Sequence, residues 1–292
     1  MIKVSVVIPV YNNPDGLNKV LVSLVGQDFP KKGYEIIVAD NHSTDESLNV
    51  AKEYSENYPN LVKYLSEDKI QSSYAARNKG IHLAEGDIIA FTDSDCIPVE
   101  YWLTEGYKSL KQNNAAMVAG RIEFTYKNSK PNIWEYYDSA STLKQKSYVE
   151  NAGFGATANL FVLKKMFNEY GYFLSELQSG GDYEFGRRLT QSGEVLIYDQ
   201  NTLVYHPARS RFREKLNKTK RIIKGQKTLT KMGYLKHGKV SFKQLVPTRH
   251  YPFLKGQTLN YVEKLLLILI NNYFRYYDFF KRVAVQLKNK YE

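Results

Sequence analysis

Two aspartates, Asp93 and Asp95, follow the apolar run Ile88-Ile89-Ala90-Phe91-Thr92. In extended chain, residues two apart project to the same side, so these carboxylates repel unless a cation stands between them. A hard divalent ion, Mn2+ or Mg2+, prefers such oxygen ligands and shares its coordination with substrate phosphates. The alternative is an ordinary acidic turn; the position at a strand end favours the metal. His206, in His206-Pro207-Ala208-Arg209, is a candidate third ligand, although a lone histidine is more often structural. Asp40 closes a second β-branched run, where a carboxylate can accept a base N–H or a ribose hydroxyl. Tyr11 follows the first run and can stack on a nucleobase or close the core; with Asp40 beside it, a nucleotide pocket is the better reading. Arg77, in Ala76-Arg77-Asn78-Lys79-Gly80, carries a fixed fork of donors suited to a base or a diphosphate. In Gly180-Gly181-Asp182-Tyr183-Glu184-Phe185, Asp182 is a candidate general base for an incoming hydroxyl, with Glu184 the nearby alternative. The plainer account is a Gly-Gly turn with Asp182 as a helix cap.

These groups converge only if the chain places them at one edge. Val4–Val10, Tyr34–Ala39, Leu61–Leu65 and Ile88–Thr92 read as strands, rich in Val and Ile. Helical patterns separate them: one capped by Asp15, one over Asp45–Asn57 capped by Asp45 or Ser43, and one over Tyr74–Leu83. Strands joined by helices require crossovers, which gives an α/β fold with a mostly parallel central sheet and helices on both faces. Ligands in such sheets sit at the carboxyl ends of the strands, and Asn12, Asp40 and Asp93 fall just there. From Glu123 to Glu150 the pattern is irregular and aromatic. Periodicity returns at Thr157–Leu163, in a helix near Asp182, and in two short strands, Val195–Tyr198 and Leu203–His206.

The chain has 292 residues, 43% hydrophobic and 24% charged, enough to bury a core without staples. Its single cysteine, Cys96, excludes an internal disulfide and a cysteine-rich zinc site, and fits a reducing compartment. The first residues lack a signal-peptide pattern. The longest aliphatic run, Leu265–Ile270, has six residues, far short of the ~20 that cross a bilayer. A cytoplasmic protein is expected, with peripheral attachment to the inner face of the membrane left open.

Charge is uneven. Residues 1–206 hold 20 Lys+Arg against 26 Asp+Glu, whereas residues 207–292 hold 21 against 4. The expected domains are therefore 1–206, carrying the site, and 207–292, a basic and mainly helical region ending in a long helix over Leu259–Lys288. On that helix Val262, Leu265, Leu266, Leu269, Tyr273, Tyr276, Tyr277, Phe280, Val283, Ala284 and Leu287 share a stripe. The basic region can face an anionic membrane surface, an acceptor, another subunit in a homo-oligomer, or nucleic acid. No nucleic-acid-binding motif accompanies the charge, so nucleic acid is not expected.

Pro9-Val10-Tyr11-Asn12, Asp40 with Asp45, the Arg77 motif, Asp93-Ser94-Asp95 and the Asp182 motif occur in the order and rough spacing of family 2 glycosyltransferases, which the chain resembles over about residues 3–210. The resemblance implies the GT-A fold, a nucleotide-diphosphate sugar donor (UDP-linked), a glycan or lipid-linked acceptor and inversion at the anomeric carbon. It implies nucleotide binding by Pro9, Tyr11, Asn12, Asp40, Arg77, Asp93, Ser94 and Arg209, and a metal held by Asp95, Asp93 and His206. Asp182 falls on the catalytic base. Gly181 stands where relatives often carry an acid, and the Gln-x-x-Arg-Trp motif of processive synthases is absent, which favours single-sugar transfer. Trp134 and Tyr137, with Gly181, are acceptor candidates; a plain core role for the aromatics is equally open. A GT-A-like nucleotidyltransferase is the runner-up enzyme, without a Gly-rich phosphate loop to support it, and a basic polyanion-binding protein is the non-enzymatic alternative.

Overall fold

A computed structural model describes residues 2–235, 242–254 and 258–291. The chain divides into two compact units: Met1–Phe124 with Lys144–Pro207, and Thr125–Leu143 with Ala208–Glu292. The junction at Pro207 lies one residue from the boundary expected from charge. Segment 125–143, kept with the first region by the sequence, instead packs with the second unit.

In the first unit, β1 (Val4–Val10) and β2 (Tyr34–Asp40) are buried at every position, as strands covered on both faces must be. Between them runs α1 (Pro14–Val25), whose Leu17, Val20, Leu21 and Leu24 are buried. Its cap is Asn13 rather than Asp15: the Asn13 side chain accepts the Gly16 N–H, and Pro14 opens the helix where no N–H is needed. Next come α2 (Ser47–Asn57), β3 (Val62–Ser66), α3 (Ser73–Leu83) and β4 (Ile88–Thr92). The α2 N-terminus is met by Asp45, whose Oδ1 accepts the Ser47 N–H at 3.0 Å, while Ser43 Oγ accepts the Asn12 N–H instead. β2 pairs with β1 and β3, and β1 with β4, all in parallel.

The chain continues through β5 (Ile97–Pro98), α4 (Trp102–Gln112) and β6 (Met117–Thr125). The stretch expected to be irregular holds two helices, α5 (Ile133–Ser141) and α6 (Gln145–Ala152). α5 has a capping box: the Asn132 side chain accepts the Trp134 and Glu135 N–H groups, and Glu135 accepts the Asn132 N–H. That N-x-x-E signal is local and legible, and the aromatic composition masks it. β7 (Asn159–Leu163), α7 (Lys165–Tyr170), α8 (Gly181–Gln191) and β8 (Leu196–Pro207) follow. β8 is one strand, not two. Asp199 accepts from the Asn201 N–H and the Thr202 hydroxyl, which absorbs the polar interruption without ending the strand.

The eight strands form one sheet in the order β3-β2-β1-β4-β7-β6-β8-β5, with β7 antiparallel to β4 and β6, and β5 antiparallel to β8. The parallel block β3-β2-β1-β4 directs its carboxyl ends to a common edge. Gly80 lets α3 press against β1: a Cβ there would lie 2.5 Å from Val7 Cγ1. Close approach of this helix is what delivers Arg77 to the strand ends.

In the second unit, α5 packs with α9 (Phe212–Lys231) and α10 (Tyr261–Tyr291). Tyr136, Tyr137, Ala140, Leu267 and Phe274 form its core. The stripe expected on the last helix is not the buried one: Leu267, Phe274 and Phe279 turn inward, while Val262, Leu265, Leu266, Leu269, Tyr273 and Phe280 are exposed. The Leu287 side chain lies outside the described residues. No helix among the described residues is long and apolar enough to cross a membrane.

Candidate active site

The loops after β1, β2 and β4 meet at the edge of the parallel block and are knitted together by short polar side chains. The Asn12 N–H donates to Ser43 Oγ at 3.0 Å, and Asn12 Oδ1 accepts the Thr44 N–H at 2.8 Å. Asn12 needs a left-handed φ of 49° for this, a conformation asparagine tolerates better than most residues. Asn13 Nδ2 donates to the Ser94 carbonyl and hydroxyl, both at 3.2 Å, which fastens the D-x-D turn to the start of α1.

Within this frame Tyr11 stands 50% exposed at the end of β1, its ring free to stack on a ligand. Asp40 is 2% exposed. Its Oδ2 accepts the Ser43 N–H at 3.1 Å, but its buried Oδ1 has no partner. A buried carboxylate oxygen left open costs free energy unless a donor arrives, and a nucleobase N–H is such a donor. Pro9 is buried within β1 and shapes the strand rather than the surface.

Arg77 is buried, and its Nη2 donates to Asp93 Oδ1 at 2.5 Å. Its guanidinium also lies over the Tyr74 ring, 5.5 Å from the centroid, and its Nε–H has no partner. Asp93 is thus tied to Arg77. Asp95 goes elsewhere: its Oδ2 lies 3.8 Å from His206 Nε2, and Asp95, Cys96 and His206 offer ligand atoms within 4.8 Å of one another. The His206 Nδ1–H donates to the Pro207 carbonyl at 2.8 Å, so Nε2 is the ring nitrogen that faces Asp95 and, in the neutral ring, carries the lone pair. Cys96 is fully buried, and burial together with Asp95 and Asp93 pushes its thiol well above the ordinary range. Asp95 and His206 offer an oxygen and a nitrogen to one point, a pair that suits a divalent cation with open positions for a substrate's phosphates. Of the expected ligands the structure gathers Asp95 and His206; Asp93 is engaged by Arg77 instead.

Asp182 lies in the first turn of α8, after Gly180 in the left-handed region at φ 88°. Gly180, not Asp182, is the N-cap residue. Asp182 Oδ1 accepts the Tyr183 N–H at 2.9 Å and the Tyr74 hydroxyl at 3.2 Å. Burial raises the proton affinity of this carboxyl above its usual value, and the Tyr183 N–H, Arg77 and the Tyr74 hydroxyl only partly offset it. A basic carboxylate held at one oxygen is what proton abstraction requires. Glu184 is committed: it is buried and takes a two-point ion pair from Arg188, at 2.7 and 3.0 Å.

Tyr74 escaped the sequence reading, in which it only opened a helix. A Cβ on Gly181 would meet three Tyr74 ring atoms at 2.9 Å, so the small residue at 181 and the large one at 74 share one space. Cys96 was legible only as the single cysteine, not as a neighbour of His206, which is 110 residues away in sequence. The remaining candidates lie in the second unit. Arg209 Nη1 and N–H both donate to Asp138 Oδ2 at 3.2 Å. Tyr137 is 5% exposed, stacked on Phe274 with the Lys215 ammonium over its ring. Trp134 packs against Phe212.

Residues 5–171 match the model of the family described as Glycosyl transferase family 2. The chain belongs to that family. It is 40% identical over 223 residues to Glycosyltransferase AglE of Haloferax volcanii, covering 76% of this chain and 72% of that protein. It is 27% identical over 227 residues to a dolichyl N-acetyl-alpha-D-glucosaminyl phosphate 3-beta-D-2,3-diacetamido-2,3-dideoxy-beta-D-glucuronosyltransferase of Methanococcus voltae, covering 74% and 70%. Among solved structures, the mannosyltransferase PcManGT of Pyrobaculum calidifontis, in complex with GDP-Man and Mn2+, superposes with a TM-score of 0.64 at 14% identity, covering 97% of this chain and 73% of that one. The fold is GT-A, and the chain is a glycosyltransferase.

Proposed function

We propose that the chain moves one sugar from a UDP-linked donor to a hydroxyl of a glycan or lipid-linked acceptor in the cytoplasm, with inversion at the anomeric carbon. The observation that carries this reading is Asp182, a carboxylate made more basic by burial and braced by Tyr74 beside the Arg77–Asp93 pair. Asp182 takes the proton of the acceptor hydroxyl as the oxygen bonds to the anomeric carbon; the bond from that carbon to the diphosphate oxygen breaks, and the nucleoside diphosphate leaves with the electron pair. Tyr11 stacks on the base and Asp40 Oδ1 accepts its imide N–H. Arg77 fixes Asp93 toward the ribose, and Ser94 is held by Asn13.

Asp95 and His206 would hold Mn2+ or Mg2+, whose charge would offset that of the diphosphate. The dolichyl-linked substrate in the name of the Methanococcus voltae relative and the GDP-Man and Mn2+ of the Pyrobaculum calidifontis complex are consistent with a lipid-linked acceptor, a nucleotide sugar and a divalent ion. Family membership decides against the nucleotidyltransferase and the polyanion-binding protein. A panel of nucleotide sugars, assayed for transfer by mass spectrometry with Mn2+ or Mg2+, tests the reading. Transfer should stop in chelator and in Asp95→Ala, and the product should carry the opposite anomeric configuration by NMR. Full turnover in chelator would remove the metal role, and a retained configuration would remove the single displacement.

A further inference from the structure

α10 presents an apolar face that its own unit leaves uncovered. Val262 is 62% exposed, Leu269 57% and Phe280 60%, and Leu265, Leu266 and Tyr273 are exposed with them. At helical spacing these six share one stripe, while Leu267 and Phe274 point into the core. A contiguous patch of this kind is uncommon on a free surface and marks an interaction site. The same spacing places Lys281, which is exposed, beside one border of the stripe. It forms no ion pair with a described residue.

The charge of the unit chooses between the surfaces that could cover this face. Residues 207–292 hold 21 basic groups and 4 acids. On α9, Arg213, Lys220, Arg221, Lys224 and Lys231 are exposed, and none is ion-paired to a described residue. A two-fold contact between copies would bring two such units face to face and set like charges against each other. A bilayer surface rich in anionic headgroups takes both features at once: apolar side chains enter the acyl boundary and cations meet phosphates.

We propose that the exposed face of α10 docks on an anionic lipid bilayer surface, with Val262, Leu265, Leu266, Leu269, Tyr273 and Phe280 in the interface and Lys281 reaching the headgroups. The helix lies in the plane of the membrane and does not span it. Docking is independent of the transfer chemistry, so it is measured without donor, metal or acceptor. Its failure would leave the enzymatic reading standing, and the reverse also holds.

The test is flotation of the full chain with vesicles of phosphatidylcholine alone or with about 30% phosphatidylglycerol, at about 0.1 M and about 0.5 M NaCl. The protein should rise with the anionic vesicles, remain at the bottom with the neutral ones, and lose most of its binding at the higher salt. Leu265→Glu with Leu269→Glu should lower the partition coefficient at least about tenfold. Because both positions are exposed, this pair should leave the melting temperature and transfer to a soluble acceptor unchanged. Lys281→Glu should weaken binding and flatten its salt dependence. No enrichment on anionic vesicles, or equal binding by the Leu265→Glu/Leu269→Glu protein, overturns the proposal. A dimer in sedimentation equilibrium that the same pair dissociates would assign the face to a second copy and overturn it as well.

Discussion

Asp182 carries two opposite demands. As a buried carboxyl it favours the proton, and as a base it must lose it. Its raised proton affinity means the folded state binds a proton more tightly than the unfolded chain. The ionised carboxylate therefore opposes folding as pH rises through the folded value. Asp182→Asn keeps the Tyr74 and Tyr183 bonds to its carbonyl oxygen and removes the charge. It should cut turnover by about 10²–10⁴-fold, leave nucleotide binding intact by calorimetry, and raise the melting temperature at pH 7. Tyr74→Phe tests the bracing. The hydroxyl stabilises the ionised form, so its loss should raise the carboxyl further and move the acid limb of the pH–rate profile to higher pH. An unmoved limb would show that Tyr74 only fills the space at Gly181.

At the scale of elements, α3 decides whether the site assembles. Its residues 76–80 carry both the arginine and the glycine that lets the helix sit against β1. Gly80→Ala would drive a methyl group into Val7, an overpacking that should cost about 1–3 kcal/mol by urea denaturation. It should also weaken nucleotide binding, since Arg77 would move from Asp93. The element pattern of the first ninety residues was legible because each parallel strand is an unbroken Val/Ile run and each helix has a helical repeat. The α1 cap shifted from Asp15 to Asn13 because a cap is fixed by which side chain reaches the free N–H groups. The sequence of β8 reads as two strands parted at 199–202, where side-chain hydrogen bonds replace the apolar alternation.

At the scale of the whole molecule, each unit has its own centre. In the second, Asp138 is fully buried between Lys215 Nζ at 3.1 Å and Arg209 Nη1 at 3.2 Å. Burial alone would raise its carboxyl, but Lys218, Lys215 and Arg209 overcome that and hold it at about 2. The ordinary value is 3.8, so ionised Asp138 contributes about 2 kcal/mol at neutral pH, lost as pH falls from about 4 to 2. Asp138→Ala leaves buried cations without their counter-charge and should destabilise the chain by about 3–5 kcal/mol in denaturant. The variant should also lose this acid-limb dependence of stability.

The linear order of residues determined the α/β alternation, the strand ends carrying Asp40 and Asp93, the charge break near Pro207 and the family, because these depend on period, composition and spacing along the chain. Tertiary structure decided which groups pair. Whether Asp93 meets Arg77, Asp95 meets His206, or Tyr74 meets Asp182 depends on contacts between residues 16 to 111 positions apart. It also decided which face of α10 is buried, since an apolar stripe states that a helix can be covered, and only the packed neighbours set which side they cover.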